Sequence, residues 1–310
     1  MTLSTANRDM GRPRVAVFGY SEVGVRCLQV LIERGARVVA VFTHADDPGE
    51  VRWFGSVADL ASQHHIPVRM PEDVGSAAVR AEIQGFAPDL IFSFYYRMMI
   101  PTEILDLARL GAFNMHGSLL PKYRGRAPVN WAVLYGEVET GATLHHMVAR
   151  ADAGDIVDQE RVVILPEETA GEVSAKVADA ACVVLARRFD ELIEGRAPRV
   201  AQDASQASYF GRRDPEDGRI DWSGTARQVV NLVRAVTRPF PGAFTDGGGR
   251  RLYVWRVRPV RLADDGLPGT VLAQAPLIVA TGDGAVELQD WSWGKANAPG
   301  GPPAIGTRLA

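Results

Sequence analysis

Cysteine is scarce in this chain: two residues, Cys27 and Cys182, among 310. Two thiols in separate apolar, helix-like stretches make neither a disulfide framework nor a thiolate metal site, and read as buried reduced thiols. No apolar run reaches the roughly 20 residues that a membrane-spanning helix needs. The opening residues, MTLSTANRDMGR, lack the apolar core of a secretory leader. Neither sign of charge is in large excess, the net being -3. This argues against a broad nucleic-acid-coating surface, although not against a local basic site. The expected compartment is the cytoplasm. Two fingerprints are also missing. GYSEVG follows the first apolar run, but its glycines do not have the G-x-G-x-x-G spacing, and no Lys-Ser/Thr follows for a P-loop. The pairs His64-His65 and His145-His146 are adjacent residues whose side chains diverge, so they read as ordinary structural or surface histidines, and no metal is expected.

What is present is ordinary globular material, 46% hydrophobic and 23% charged, enough for one large or two moderate domains. RVAVFGYS, ARVVAVFTH and DLIFSFYY are short apolar runs of the kind found in buried parallel strands. EVGVRCLQVLIERG, SVADLASQHH and SAAVRAEIQGF between them have helical spacing. This order predicts a parallel sheet with helices on both faces. AFNMH reads as a further strand. ETGATLHHMVARADAGDIVDQERVVI reads as two strands around a loop at Arg150 to Asp155. A long helix follows, opened by the capping-box pair Thr169 and Glu172 and striped by Val173, Val177, Ala181, Val184, Leu185, Phe189 and Leu192. The stretch AQDASQASYFGRRDPEDGRIDW is polar and turn-rich, and reads as a linker. After the helix TARQVVNLVRAVT, short strands with glycine turns predict a small β-barrel or sandwich. The expected division is a tail over 1–13, a catalytic domain over 14–204, and a linker with a C-terminal β-domain over 205–310. The closing ANAPGGPPAIGTRLA reads as loop.

The pattern that carries chemistry is FNMHGSLLPKYRGRAP, residues Phe113 to Pro128. In an extended strand, residues two apart face the same way. Phe113 and Met115 can then enter the core while Asn114 and His116 point together at something polar. Ligands in open α/β sheets bind beyond the carboxyl ends of the strands, which is where this pair falls. The loop that follows is stiffened by proline and glycine. RADAGDIV brings Asp152 between two predicted strands, and a carboxylate beside an imidazole raises its pKa and orients it. Asn, His and Asp with no Ser or Cys nucleophile suit direct attack of a substrate amine on a carbonyl. The amide would stabilise the oxyanion and the imidazole would carry protons.

These residues, N-x-H-x-S-L-L-P-x-x-R-G followed about thirty residues later by D-x-G, strongly resemble the folate-dependent formyltransferase family. FTHADDPGE, FSFYYR, RADAG, FGRRDPEDG and FPGAF resemble the subgroup that formylates UDP-4-amino-4-deoxy-L-arabinose in lipid A modification and polymyxin resistance. The resemblance implies a Rossmann-like α/β domain that holds 10-formyltetrahydrofolate, followed by a small OB-like β-barrel. It implies Asn114, His116 and Asp152 as catalytic residues. It implies folate contacts from Met98, Met99, Ile100, Arg126, Val148, Ala149, Arg150, Ala151 and Asp152. In the enzyme of that subgroup a dehydrogenase–decarboxylase half follows. These 310 residues stop before it, as a stand-alone enzyme or a fragment would.

The acceptor is expected to be a sugar nucleotide. Arg212 and Arg213 in FGRRDPEDG are candidates for its diphosphate, against the plain alternative of solvated surface charges. Methionyl-tRNA formyltransferase is the alternative function. Relatives that act on tRNA carry a longer basic insertion after the second strand. Here that stretch is THADDPGEVRWFG, with Asp46, Asp47 and Glu50 against one arginine, and phosphate contacts need cations. A non-catalytic folate-binding module is a third possibility, opposed by the intact Asn114, His116 and Asp152.

Overall fold

The computed structural model describes residues 11–46, 52–261, 266–294 and 299–310. Most of the expected N-terminal tail, and Asp47 and Glu50, lie outside the described residues. Along the first third, β1 (Arg14–Gly19), α1 (Ser21–Glu33), β2 (Arg37–Phe42), α2 (Val57–Gln63), β3 (Val68–Arg69), α3 (Ala77–Phe86), β4 (Leu90–Phe94), α4 (Thr102–Leu105) and β5 (Gly111–His116) succeed one another. Then come β6 (Arg124–Gly125), α5 (Pro128–Leu134), β7 (Glu139–His146), β8 (Ile156–Val163), α6 (Ala170–Ile193), β9 (Tyr209–Phe210) and α7 (Ala226–Val236). The last group is β10 (Ala243–Gly247), β11 (Arg250–Val260), β12 (Val271–Gln274), β13 (Leu277–Thr281) and β14 (Gly284–Trp293).

The expected α/β sheet is present. Its seven strands run β3-β2-β1-β4-β5-β7-β8. β1, β2, β3, β4 and β5 pair in parallel, and β7 pairs antiparallel with β5. Strand β4 is buried along its whole length, as a strand covered on both faces must be. The connection order reverses beside β1, so β1 and β4 flank the switch point where such sheets bind ligands. Helix α6 begins with the expected box: Glu172 N–H donates to Thr169 Oγ1 (3.3 Å) and Thr169 N–H to Glu172 Oε2 (2.8 Å). The seven apolar residues of its stripe are all buried.

The chain forms two compact units that alternate in sequence. The first holds the chain up to Gly125 together with Thr140–Val162 and Ala175–Phe210; the second holds Arg126–Glu139, Val163–Ser174 and Gly211–Ala310. The second unit contains a five-stranded antiparallel sheet ordered β10-β11-β14-β13-β12. Its two edge strands are joined by residues 306–310. Asp246 of β10 exchanges both backbone hydrogen bonds with Ala310, while Val271 of β12 bonds Gly306 and Thr307. The stretch that reads as loop in the sequence therefore closes the barrel. Helices α5 and α7 pack in the same unit, where Asn130 Nδ2 donates to the Ala235 carbonyl (2.8 Å).

Candidate active site

Asn114 and His116 leave β5 at its carboxyl end, with Phe113 and Met115 fully buried between them in alternation. The antiparallel register of β7 sets His145 directly opposite Asn114. The loop between β7 and β8 brings in Asp152, whose two carboxylate oxygens do different things. Oδ1 faces three side chains: Asn114 Nδ2 at 3.2 Å, His145 Nε2 at 3.4 Å and His116 Nδ1 at 3.6 Å. Oδ2 accepts the Gly125 N–H at 2.8 Å. Asp152 itself has φ 53°, a left-handed conformation that costs a non-glycine residue of order 1–3 kcal/mol.

The hydrogen-bond partners fix the tautomers. His116 Nε2 lies 2.7 Å from the Tyr123 carbonyl, which can only accept, so Nε2 carries a proton. In the neutral ring Nδ1 is then the lone pair, and it faces Asp152. His145 Nδ1 is likewise committed to the His146 carbonyl (2.8 Å), so His145 Nε2 accepts from Asn114 Nδ2 at 3.1 Å. Both N–H bonds of the Asn114 amide are therefore used inside the cluster.

Burial pushes His116 below its ordinary value, against the upward pull of Asp152 and of the Tyr123 carbonyl. Asp152 is held well below the usual carboxylate range. Burial opposes its charge, but in the acid range where Asp152 would take up a proton the positive charge of His116 and His145, with the Gly125 N–H, outweighs it. At neutral pH a neutral His116 thus stands beside an ionised Asp152. A proton arriving at Nδ1 would complete an ion pair in a site where His116 is only 6% exposed.

The loop over this cluster is held at several points. Tyr123, Gly125 and Ala127 have φ of 58°, 99° and 51°. A Cβ on Gly125 would stand 2.2 Å from the Phe210 carbonyl oxygen, the partner strand of the short β6·β9 ladder. Ser118 Oγ donates to the Lys122 carbonyl and Thr143 Oγ1 to that of Ser118, both at 2.6 Å.

The remaining expected site residues fall in several places. Met98 packs on the core and Ile100 is buried, while Met99 is 59% exposed on the loop after β4. That loop is pinned by Tyr96, stacked on His44 at 4.2 Å, and by the Arg97 N–H, which donates to His44 Nε2 (3.0 Å). Burial, with the Arg97 charge, drives His44 down to about 4. A small cleft of about 40 Å³ opens at the ends of β1 and β2 beside this group, lined by Tyr20, Ser21, Thr43, His44, Asp46 and Phe54. Val148, Ala149 and Arg150 are exposed, and Ala151 is partly so. Arg126 is exposed and belongs to the second unit. So do Arg212, paired with Asp214 (2.9 Å), and Arg213, which lies over Trp131 (4.6 Å) and donates to the Asp217 carbonyl.

One sequence reading needs correction. His145 and His146 are buried, and His145 touches both Asn114 and Asp152, so this pair is not a pair of bystanders. Adjacent side chains do diverge. Yet one of two neighbours on a strand across from Asn114 must share its face. Gln202, in the stretch read as linker, also reaches the site, donating to the carbonyls of Asp152 and Gly154. Among the described residues, no three His, Cys, Asp or Glu stand close enough to hold a metal ion, and no helix is long and apolar enough to cross a membrane.

Three solved structures show what this fold is similar to. HypX from Aquifex aeolicus in complex with tetrahydrofolic acid is 21% identical, with a TM-score of 0.63, over 92% of this chain. The chain spans only 45% of HypX. An N-formyltransferase from Helicobacter canadensis, in complex with folinic acid and dTDP-3-aminofucose, is 20% identical with a TM-score of 0.68, over 89% of this chain and 98% of that one. WlaRD, a sugar 3N-formyl transferase with dTDP and 5-N-formyl-THF, is 19% identical with a TM-score of 0.67, over 90% and 99%. At these identities the likeness establishes the fold alone. The family itself is set by sequence: residues 13–189 match the formyl transferase model and residues 213–300 match the model of the formyl transferase C-terminal domain. This chain belongs to the formyl transferase family.

Proposed function

We propose that the chain transfers a formyl group from 10-formyltetrahydrofolate to the amine of a sugar nucleotide, with UDP-4-amino-4-deoxy-L-arabinose as the first acceptor to test. The observation that carries this reading is the hub at Asp152 Oδ1, where an amide donor and an imidazole lone pair meet at the carboxyl end of β5. The formyl donor supplies an electrophilic carbon. The exposed Met99 and Val148 and the backbone of the loops after β4 and β7 suit a flat ring system with polar edges. His116 Nδ1 takes the proton that the attacking amine gives up, and Asp152 stabilises the imidazolium so formed. Asn114 turns one N–H from Asp152 or His145 to the carbonyl oxygen as negative charge builds there. His116 then returns its proton to the departing nitrogen.

A nucleotide acceptor is proposed to lie beside β1, at the switch point of the sheet order. Neighbouring strands are about 4.8 Å apart, so β1 lies roughly 10 Å from β5 across the order β1-β4-β5. Arg212 and Arg213 are proposed as diphosphate contacts. The names of two similar structures also point to sugar nucleotides, although both of these are dTDP-linked. The methionyl-tRNA alternative is weakened in the loop after β2, where the one cation, Arg52, is already paired with Asp46 (2.7 Å). The test is incubation with 10-formyltetrahydrofolate and a panel of UDP- and dTDP-linked amino sugars, with methionyl-tRNA in parallel, the products being read by mass spectrometry. Formylation of an amino-sugar nucleotide is expected. Formylation of tRNA alone would replace this reading with the alternative.

A further inference from the structure

Gln202 belongs to none of the motifs that mark the site, yet its carboxamide ties two parts of it together. Nε2 donates to the carbonyls of Asp152 (2.8 Å) and Gly154 (2.6 Å). Oε1 accepts from Arg124 Nε (3.1 Å) and Nη2 (2.6 Å). A guanidinium can only donate and a carbonyl can only accept, so the network dictates which way round the amide sits. Among side chains of that length, only glutamine offers one acceptor and two donors at the tip. Glutamate has no donor, leucine has neither, and asparagine is a methylene too short.

Arg124 is an unusual anchor. It is 4% exposed, and no carboxylate pairs with it among the described residues. Its remaining bond is to Tyr209 Oη (2.6 Å), and its guanidinium also lies over the Tyr209 ring at 5.3 Å. A buried cation is costly unless its donors are satisfied, so Arg124 holds Gln202 and Tyr209 firmly. The backbone that Gln202 grips has little slack. Asp152 has φ 53°, and a Cβ on Gly154 would stand 1.9 Å from the His146 carbonyl oxygen.

We propose that Gln202, clamped by buried Arg124, is a positioning residue that holds the backbone at 152–154 so that Asp152 Oδ1 stays within reach of His116 and Asn114. The proposal rests on the reading of Asp152 and His116 as a working pair. The groups facing His116 are Asp152, His145, Arg124 and the Tyr123 carbonyl.

The test is a titration of the His116 imidazole by NMR in the free protein, carried out in four variants. In the wild-type background, Asp152→Asn should lower the His116 midpoint by removing a nearby negative charge. In a Gln202→Leu background, at least half of that lowering should vanish, because the carboxylate no longer sits against the ring. Taking the difference cancels changes in hydration that Gln202→Leu brings, and Arg124 and His145 are common to all four proteins. Turnover by Gln202→Leu should fall roughly 10–100-fold, the scale of a misplacement of about 1 Å, with KM little changed. An equal lowering of the midpoint in both backgrounds overturns the proposal, whatever happens to turnover. Gln202→Glu keeps the acceptor for Arg124 and removes both donors, so it supports the same comparison if leucine impairs folding. The titration uses no substrate. Failure of every amino-sugar nucleotide to react would therefore count against the acceptor and leave the clamp to be judged on the titration.

Discussion

The amide of Asn114 has both N–H bonds committed, at 3.1 and 3.2 Å, to partners that are themselves held in place. To meet the oxyanion the amide must release one of these bonds as charge builds on the carbonyl oxygen, so removing it should be felt in the chemical step. Asn114→Ala is expected to lower kcat by roughly 10²–10³ with a much smaller change in KM. Near-normal turnover by a folded variant would take Asn114 out of this role. His116 and Asp152 should behave as one unit. Asp152→Asn keeps the shape and removes the charge, so the His116-dependent limb of the pH–rate profile should move to lower pH. His116→Ala should abolish most activity, and adding Asp152→Asn should cost little more. Additive losses with an unmoved limb would separate the two. For the diphosphate, Arg213 is already oriented by Trp131, whereas Arg212 must leave Asp214. Neutralising both is expected to raise KM for the sugar nucleotide and to spare folate affinity, and a selective loss of folate affinity would contradict that.

Short elements set the site as much as long ones do. The two-residue ladder β6·β9 carries the Gly125 N–H to Asp152. Gly125 has no room for a methyl group and a φ of 99°. Gly125→Ala should destabilise the fold by roughly 2 kcal/mol or more and depress turnover, as thermal unfolding and kinetics would show. An unchanged unfolding temperature would mean that the Phe210 backbone yields at no cost. These same elements mark the limit of what was legible in the sequence. β1, β2, β4 and α6 announce themselves because apolar runs and a 3.6-residue stripe are local signals. Asn114 and His116 were legible because alternation within one strand is local too. His145 was not, since its role depends on the register of β5 against β7. Gln202 was not, since a polar side chain in a turn-rich stretch looks the same whether it meets water or two carbonyls. The barrel-closing pairs of residues 306–310 carry no apolar alternation, because two of the positions are glycine and threonine and the bonds are made by backbone.

Over the whole molecule, three histidines are disfavoured from protonation, with burial the first cause in each: His44, His116 and His146. An unfolded histidine takes its proton near pH 6.5. Between that pH and the lower folded values the unfolded chain binds more protons, so stability is full above about pH 6.5 and is lost as pH falls. A buried group such as His116 adds a slope of up to about 1.4 kcal/mol per pH unit in its window. Asp152, also depressed, extends the loss below about pH 4. Denaturant unfolding at a series of pH values should show this decline, and His116→Gln should flatten it. A rise in stability on acidification would exclude it. The alternation of the two units has its own consequence, and it is one of time. Asn130 of α5 bonds a carbonyl 105 residues further along. A ribosome adding roughly 5–20 residues each second needs roughly 5–20 s to deliver that partner. For that interval Val129, Ala132 and Val133, all buried in the finished protein, have no α7 to cover them. On the nascent chain α5 is therefore a sticky patch kept waiting, and a natural foothold for a chaperone.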